Sequence, residues 1–204
     1  MKKQLSVLAI AMSVVSSINA SENYNYSNLQ LSGSIDYIEV LDKKVDAKTI
    51  GVKGQYEFDT VPVVLMAAAT NGSVDDDELI SGAEWNTASY MAGVSYAFSV
   101  TEQLDILPGI AIARVENELK NGSFKDEVKM TAYHASLDAR YHLEGGLWLN
   151  AGVNRTSYNK DNVDSKTGYQ VGAEYQVDDD WGFGINRSWT TDQGSTSLFV
   201  KIFF

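Results

Sequence analysis

The segment "TGYQVGAEYQV", Thr167 to Val177, decides the fold. Tyr169, Val171, Ala173, Tyr175 and Val177 fall on one side of an extended chain. Gln170, Gly172, Glu174 and Gln176 fall on the other. Side chains of a strand alternate between faces, so period two predicts a strand with one apolar and one polar face. "NTASYMAGVSYAF" (86–98) repeats the design, with Ala88, Tyr90, Ala92, Val94, Tyr96 and Phe98 together. "AYHASLDARYHL" (132–143) repeats it again, with Tyr133, Ala135, Leu137, Ala139, Tyr141 and Leu143 opposite His134, Ser136, Asp138, Arg140 and His142.

Working outward predicts ten strands, over about 27–40, 47–58, 62–71, 86–98, 104–117, 127–142, 146–158, 166–177, 181–190 and 195–204. The third, "VVLMAAAT", is apolar on both faces and gives no parity. Without a spanning hairpin over 62–85, the count is eight. Connections alternate between tight (Asp59-Thr60-Val61, Ser99 to Gln103, Glu144-Gly145, Asp178-Asp179-Asp180) and mostly longer, polar ones, the longest from Gly72 to Trp85.

Composition removes other classes. The chain begins Met1-Lys2-Lys3, runs apolar from Leu5 to Val15 and reaches Ala20 after a short polar stretch. That pattern predicts a secretory signal over 1–20 and a single domain over 21–204. Its apolar core is shorter than the roughly 20 residues of a spanning helix. The formal charge is −11, and cleavage after Ala20 moves it to −13. Such acidity excludes nucleic acid as a partner, because phosphates demand Lys/Arg patches. Without cysteine there is no disulfide, thiol chemistry or lipidated N-terminus. No 18-residue apolar run follows the signal, which excludes a helical membrane protein; a transmembrane β-barrel averages to neutral hydropathy and stays open.

Aromatic residues supply a second pattern. Tyr56, Phe58, Tyr96, Phe98, Tyr141, Tyr175, Trp181 and Phe183 cluster at the tight-turn ends of the strands. Tyr37, Tyr90, Tyr133, Tyr169 and Trp189 cluster at the other ends. Two levels of amphipathic rings fit two membrane interfaces. The last strand, "SLFVKIFF" (197–204), aligns Leu198, Val200, Ile202 and Phe204 on one face and ends without a polar tail. This ending resembles the C-terminal signature of bacterial outer-membrane β-barrel proteins, which the barrel assembly machinery reads. Together with the signal and the hairpin rhythm, the resemblance to small porin-like and OmpA-like barrels covers the mature chain. It implies an all-β, antiparallel, up-and-down transmembrane barrel, exported to the outer membrane of a Gram-negative bacterium. It also implies contact with the lipid bilayer and lipopolysaccharide, and a monomer.

Parity then places charges inside such a barrel. Glu57, Asp105, Asp138, Arg140, Glu174 and Lys201 lie near the tight-turn end; Asp36, Lys53, Lys129 and His134 lie higher. Either they cross-link into a plug or they line a narrow, cation-preferring channel. Arg187 falls on the lipid side, which calls for snorkelling or for a bulge near Asn186.

No cofactor motif or metal-ligand spacing occurs. The expected function is a structural barrel or narrow small-solute pore. One alternative is adhesin-like recognition through acidic loops (Asp75 to Glu78, Asp161, Asp164). Another is an embedded hydrolase built on His134-Ala135-Ser136. That pair is similar to the His-x-Ser of barrel-type lipid A deacylases, but the flanking residues depart from their motif and parity turns it inward. No matching catalytic pairs of the longer outer-membrane aspartyl-type proteases are present.

Overall fold

The computed structural model describes residues 25–204 except 41–42, 59–60, 75–82, 122 and 161–162. The expected signal over 1–20 and the acidic loop Asp75 to Glu78 lie outside the described residues, as does Asp161; Asp164 is exposed.

The strands are β1 (Asn28–Val40), β2 (Lys43–Phe58), β3 (Val61–Val74), β4 (Ala83–Tyr96), β5 (Phe98–Thr101), β6 (Leu104–Asn121), β7 (Phe124–Leu143), β8 (Leu147–Tyr158), β9 (Lys166–Gln176), β10 (Trp181–Trp189) and β11 (Gln193–Phe203). Each pairs antiparallel with its neighbours, β4 pairs with β6, and β11 closes on β1 from Asn28↔Phe203 to Ile38↔Gln193. The result is a closed ten-strand barrel with one short extra strand. Closure satisfies every strand laterally and leaves no sheet edge in the wall. The eight-strand alternative is thereby excluded, since β3 and β4 pair along Val63↔Tyr96 to Val74↔Trp85.

The short extra strand corrects the expected turn at Ser99 to Gln103. Strand β4 breaks at Ala97, whose N–H bonds the carbonyl of Pro62 at 2.8 Å, and β5 continues the pairing onto β6. Only Glu102 and Gln103 remain as the turn. The turn after β7 relies on Gly145 and Gly146, with φ of 78° and 81°. Only glycine adopts two successive positive φ values without steric cost.

Outward parity leaves the described wall without charge between the two aromatic levels, apart from Lys48 and Arg187 at the upper edge. Leu31, Ile35, Ile50, Leu65, Ile110, Leu137, Val171, Ile185 and Leu198 all point outward and are exposed. Single exposed apolar residues are ordinary, but a continuous exposed belt of this extent marks a lipid contact. Leu198, Val200, Ile202 and Phe204 of the last strand belong to it. Aromatic contacts bind neighbouring positions at both levels: Tyr56–Phe58 (5.4 Å), Tyr96–Phe98 (4.4 Å), Tyr175–Phe183 (5.8 Å) and Trp181–Phe183 (6.2 Å) below, Tyr169–Trp189 (6.0 Å) above. Tyr141 is exposed at the lower level and donates its hydroxyl to Gln103 Oε1 at 2.9 Å. Tyr90 and Tyr133 are exposed at the upper level.

Strands β2, β3, β4, β6 and β7 run past their expected ends away from the tight turns. The β6–β7 hairpin stays in register to Asn121↔Phe124. From Tyr133 to Phe124 it climbs about 20 Å, at roughly 3.3 Å per residue and a tilt near 40°. Here the outward positions turn polar while Val115, Leu119, Val128 and Met130 keep the inward ones apolar, so no lipid-facing apolar row marks these strands. Outward ion pairs hold the extension instead: Lys120 and Lys125 on Glu118, Lys129 on Glu127 (2.7 Å) and Glu116 (3.6 Å). Lys120 and Lys125 hold the Glu118 carboxyl below its usual range, by hydrogen bonding first.

Candidate functional site

The lumen divides into two sectors. Strands β3, β4 and β6, with the upper part of β7, line it with Val64, Met66, Ala68, Met91, Leu107, Ala113, Val115, Met130 and Ala132, all buried. This explains why the third segment is apolar on both faces: one meets lipid and the other meets this packed interior. The opposite sector carries the charges.

Glu174 is at its centre, fully buried. It accepts a hydrogen bond from Lys201 Nζ at 2.5 Å and pairs with Arg140 Nη2 at 3.0 Å. The guanidinium of Arg140 lies 4.7 Å from the ring centre of Trp148, and His142 stacks on that ring at 4.2 Å. Strand parity does this work: residues 140 and 142 of β7, 148 of β8, 174 of β9 and 201 of β11 all project inward across adjacent registers.

Above this layer, Asp138 and Gln170 reach each other across one intervening strand, β8, Gln170 Nε2 donating to Asp138 Oδ1 at 2.5 Å. Gly152 stands between them in register. A Cβ at Gly152 would come 1.9 Å from Asp138 Oδ1, so the missing side chain is what permits the bridge. Higher again, His134 Nδ1 meets Thr156 Oγ1 at 2.8 Å, and Thr49 Oγ1 donates to Asp36 Oδ2 at 2.5 Å. Lys53 is buried. His134 therefore pairs with the residue opposite it on β8, not with Asp138 or Arg140. Ser136 hydrogen-bonds Asp138. The imidazole and hydroxyl of the His134-Ala135-Ser136 motif are thus each engaged elsewhere.

One expected lumen member, Lys129, is placed differently, and Glu57 keeps its inward parity only at the end of the lumen. Lys129 lies on the outer face of β7, exposed, in the ion-pair ladder above the upper aromatic level. Strict alternation from His134 already puts odd positions of β7 outside. Glu57 is only half-buried, at the tight-turn rim, where its backbone N–H bonds Ser27 Oγ at 3.2 Å.

The reading of the sequence missed a stopper at that rim. Tyr26, before β1, continues the inward parity of Asn28 and is almost fully buried. It packs in one cluster with Leu107, Trp148 and Phe203, and its hydroxyl donates to Asp105 Oδ2 at 3.1 Å. The segment is tied down by Asn28 Nδ2 to Tyr26 O (3.0 Å), Phe204 N to Ser27 O (3.1 Å) and Asn25 Nδ2 to Phe204 O (3.0 Å). Both ends of the barrel chain are therefore fastened to one another under the lumen. Replacing Tyr26 by Phe removes one donor from a buried carboxylate and is expected to cost about 1 kcal/mol of stability. Urea unfolding in lipid vesicles checks this.

Arg187 does not need a bulge. Its registers with Val171 and Thr196 are continuous and Asn186 points inward. The side chain climbs instead: Nη1 donates to Thr196 Oγ1 at 2.5 Å and the guanidinium lies 5.3 Å from the Tyr37 ring centre.

Known structures share this architecture. The translocator domain of the autotransporter NalP from Neisseria meningitidis gives a TM-score of 0.53 at 12% identity, covering 90% of this chain and 90% of that one. The β domain of the Bordetella autotransporter BrkA gives 0.50 at 10% identity, covering 87% and 99%. The NanC porin gives 0.50 at 10% identity, covering 86% and 100%. At such identities the likeness is one of fold alone. No curated protein matches the chain by sequence. A family model, outer membrane protein beta-barrel domain, matches residues 6–176. That match spans most of the chain and agrees with the closed antiparallel barrel seen here, and the chain belongs to the outer membrane protein β-barrel domain family, barrels of the bacterial outer membrane.

Proposed function

We propose that the protein is a closed-lumen, monomeric barrel that serves the outer membrane as a structural element rather than as a steady pore. The observation that carries this reading is the layer of Arg140, Glu174, Lys201, Trp148 and Tyr26. All five are less than 2% exposed and fill the tight-turn half of the lumen. A ten-strand barrel is only slightly wider than the eight-strand size that side chains fill. Side chains packed to that degree favour a lumen closed to water and ions at this level. The engaged His134 and Ser136 favour a non-enzymatic role. Export by the N-terminal signal, and recognition of Leu198, Val200, Ile202 and Phe204 by the assembly machinery, complete the reading.

Planar-bilayer recording of the refolded protein tests it. The expected result is a flat trace, without unitary steps, over the voltage range in which a porin control conducts. Sustained cation-selective steps would overturn it.

The β6–β7 hairpin favours a second role, surface recognition. It stands well clear of the upper aromatic level and carries Phe124 exposed near its tip. Cells expressing a variant shortened across 118–127 would bind host surfaces less well if this reading holds. Unchanged adhesion, with normal surface expression, counts against it.

A further inference from the structure

Strand β7 outruns its neighbour β8. The two pair from Leu143↔Leu147 up to Ala132↔Tyr158, whereas β7 stays paired with β6 on its other side as far as Asn121↔Phe124. Residues 124–131 therefore form an open sheet edge above the upper aromatic level, and among the described residues no strand pairs with it. Asn159 closes the seam below: its N–H donates to Thr131 O at 3.0 Å and its Oδ1 accepts the Thr131 N–H at 2.8 Å. Both main-chain groups of Thr131 thus point to the β8 side. Successive residues of an antiparallel strand direct these groups to opposite sides. The register with β6 runs unbroken from Leu104↔Tyr141 to Asn121↔Phe124, so Lys125, Glu127 and Lys129 send theirs the same way as Thr131, out of the sheet.

Proteins usually blunt such an edge with proline, a bulge or charges that repel a second strand. Residues 124–131 hold no proline, and no bulge interrupts them. Their lysines are drawn back onto their own sheet: Lys125 pairs with Glu118, and Lys129 with Glu127 (2.7 Å) and Glu116 (3.6 Å). These side chains lie on the outer face, to one side of the main-chain groups. On the inner face Val128 packs against the cluster that holds Met130, and Phe124 is exposed near the tip.

We propose that this edge binds an extended segment of a partner protein by strand addition, the partner's main chain pairing with Lys125, Glu127 and Lys129. The inference rests on the recognition role of the β6–β7 hairpin and names what the hairpin recognises. Main-chain bonds supply the attachment and alternate side chains the choice of partner. Residues directly opposite each other in an antiparallel pair share a face. Apolar side chains therefore belong opposite Phe124 and Val128 on the inner face. On the outer face an acid belongs opposite Lys125 and opposite Lys129, and a base opposite Glu127. The partner is a segment in which apolar residues alternate with acid, base and acid.

The test uses the full barrel, isotope-labelled in lipid nanodiscs, and short synthetic peptides. The matched peptide is Val-Glu-Val-Lys-Val-Glu-Val. One control reverses its charges, and the other carries N-methyl groups on the amides of its Glu and Lys residues. In the unbound barrel the amides of Lys125, Glu127 and Lys129 should exchange hydrogen fast and those of Asp126 and Val128 slowly. The matched peptide should protect the three fast amides. Both control peptides should bind about tenfold or more weakly. Glu127→Pro should abolish binding, since it removes a donor that faces away from β6 and so spares the hairpin. Glu127→Gln keeps that donor and should lose far less. Equal binding of the matched and N-methylated peptides overturns the proposal, as does full binding by Glu127→Pro or a failure of the matched peptide to protect the three amides.

Cell adhesion separates this inference from the wider recognition role. Both Glu127→Pro and the variant shortened across 118–127 should adhere less well than wild type. If only the shortened variant does, the hairpin recognises its partner by side chains, and strand addition is overturned with the recognition role intact. The position of the edge is checked separately. The chain has no cysteine, so Ser123→Cys, at the exposed tip of the β6–β7 hairpin, is a unique thiol. An impermeant maleimide should label it on intact cells, and failure to label overturns a partner outside the cell.

Discussion

Replacing Glu174 by Gln is expected to lower the unfolding free energy by about 3–5 kcal/mol, the usual cost of removing one member of a buried charge cluster. The substitution preserves volume, so the loss is electrostatic. Glu174 is the shared acceptor of Lys201 Nζ and Arg140 Nη2, and all three groups are buried. Without the carboxylate, two cations remain beside each other with reduced compensation. Urea titration in lipid vesicles, followed by tryptophan emission, measures it, and Trp148 under Arg140 makes the signal local. The double variant Glu174→Gln, Lys201→Met removes one stranded cation and should recover part of the loss. A loss under about 1 kcal/mol for Glu174→Gln would mean that water reaches this layer, contrary to a closed lumen.

Leu137→Arg is expected to cost about 2–4 kcal/mol in the same vesicles, because it sets a guanidinium near the middle of the outer band. Leu137 is half-exposed on the wall, paired with Pro108 and Val153, between the levels of Tyr133 and Tyr141. Thr131→Arg places the same charge one outward position above Tyr133, opposite Arg114. It should cost no more than about 1 kcal/mol, since the price falls steeply toward the interface. Equal and small effects at both sites would show that hydrocarbon does not touch Leu137.

Much of the fold was legible because a barrel wall is a local code. Lipid accepts only apolar side chains, so alternate residues along "TGYQVGAEYQV" and "SLFVKIFF" must be apolar whatever their partners are. The ten strands and the closing role of β11 follow from that rule. The rule fails where the wall does not separate lipid from a polar interior. In "VVLMAAAT" both faces are apolar, and only the packing of Met66 and Ala68 into the interior assigns them. Above the upper aromatic level the pattern inverts: no lipid touches the wall, its outward face turns polar, and Val115, Leu119, Val128 and Met130 keep the inward face apolar. There β6 and β7 extend beyond expectation, and Lys129 stands outside rather than in the lumen.

The candidate site was legible in membership and illegible in pairing. Inward parity names Arg140, Glu174 and Lys201, but these residues are far apart along the chain, and their meeting depends on registers across β7, β8, β9, β10 and β11. The bridge from Asp138 to Gln170 needs Gly152 to be in step with both. Tyr26 carries no alternation of its own, lying just before the first strand, and becomes a stopper only because β11 brings Phe203 and Phe204 beside it. By itself, then, the order of residues determined which side of each strand meets lipid, since that choice is made residue by residue against one uniform solvent. Tertiary structure decided which buried charges neutralise each other and that one end of the lumen is filled, because those energies depend on distances between strands that only closure of the barrel sets.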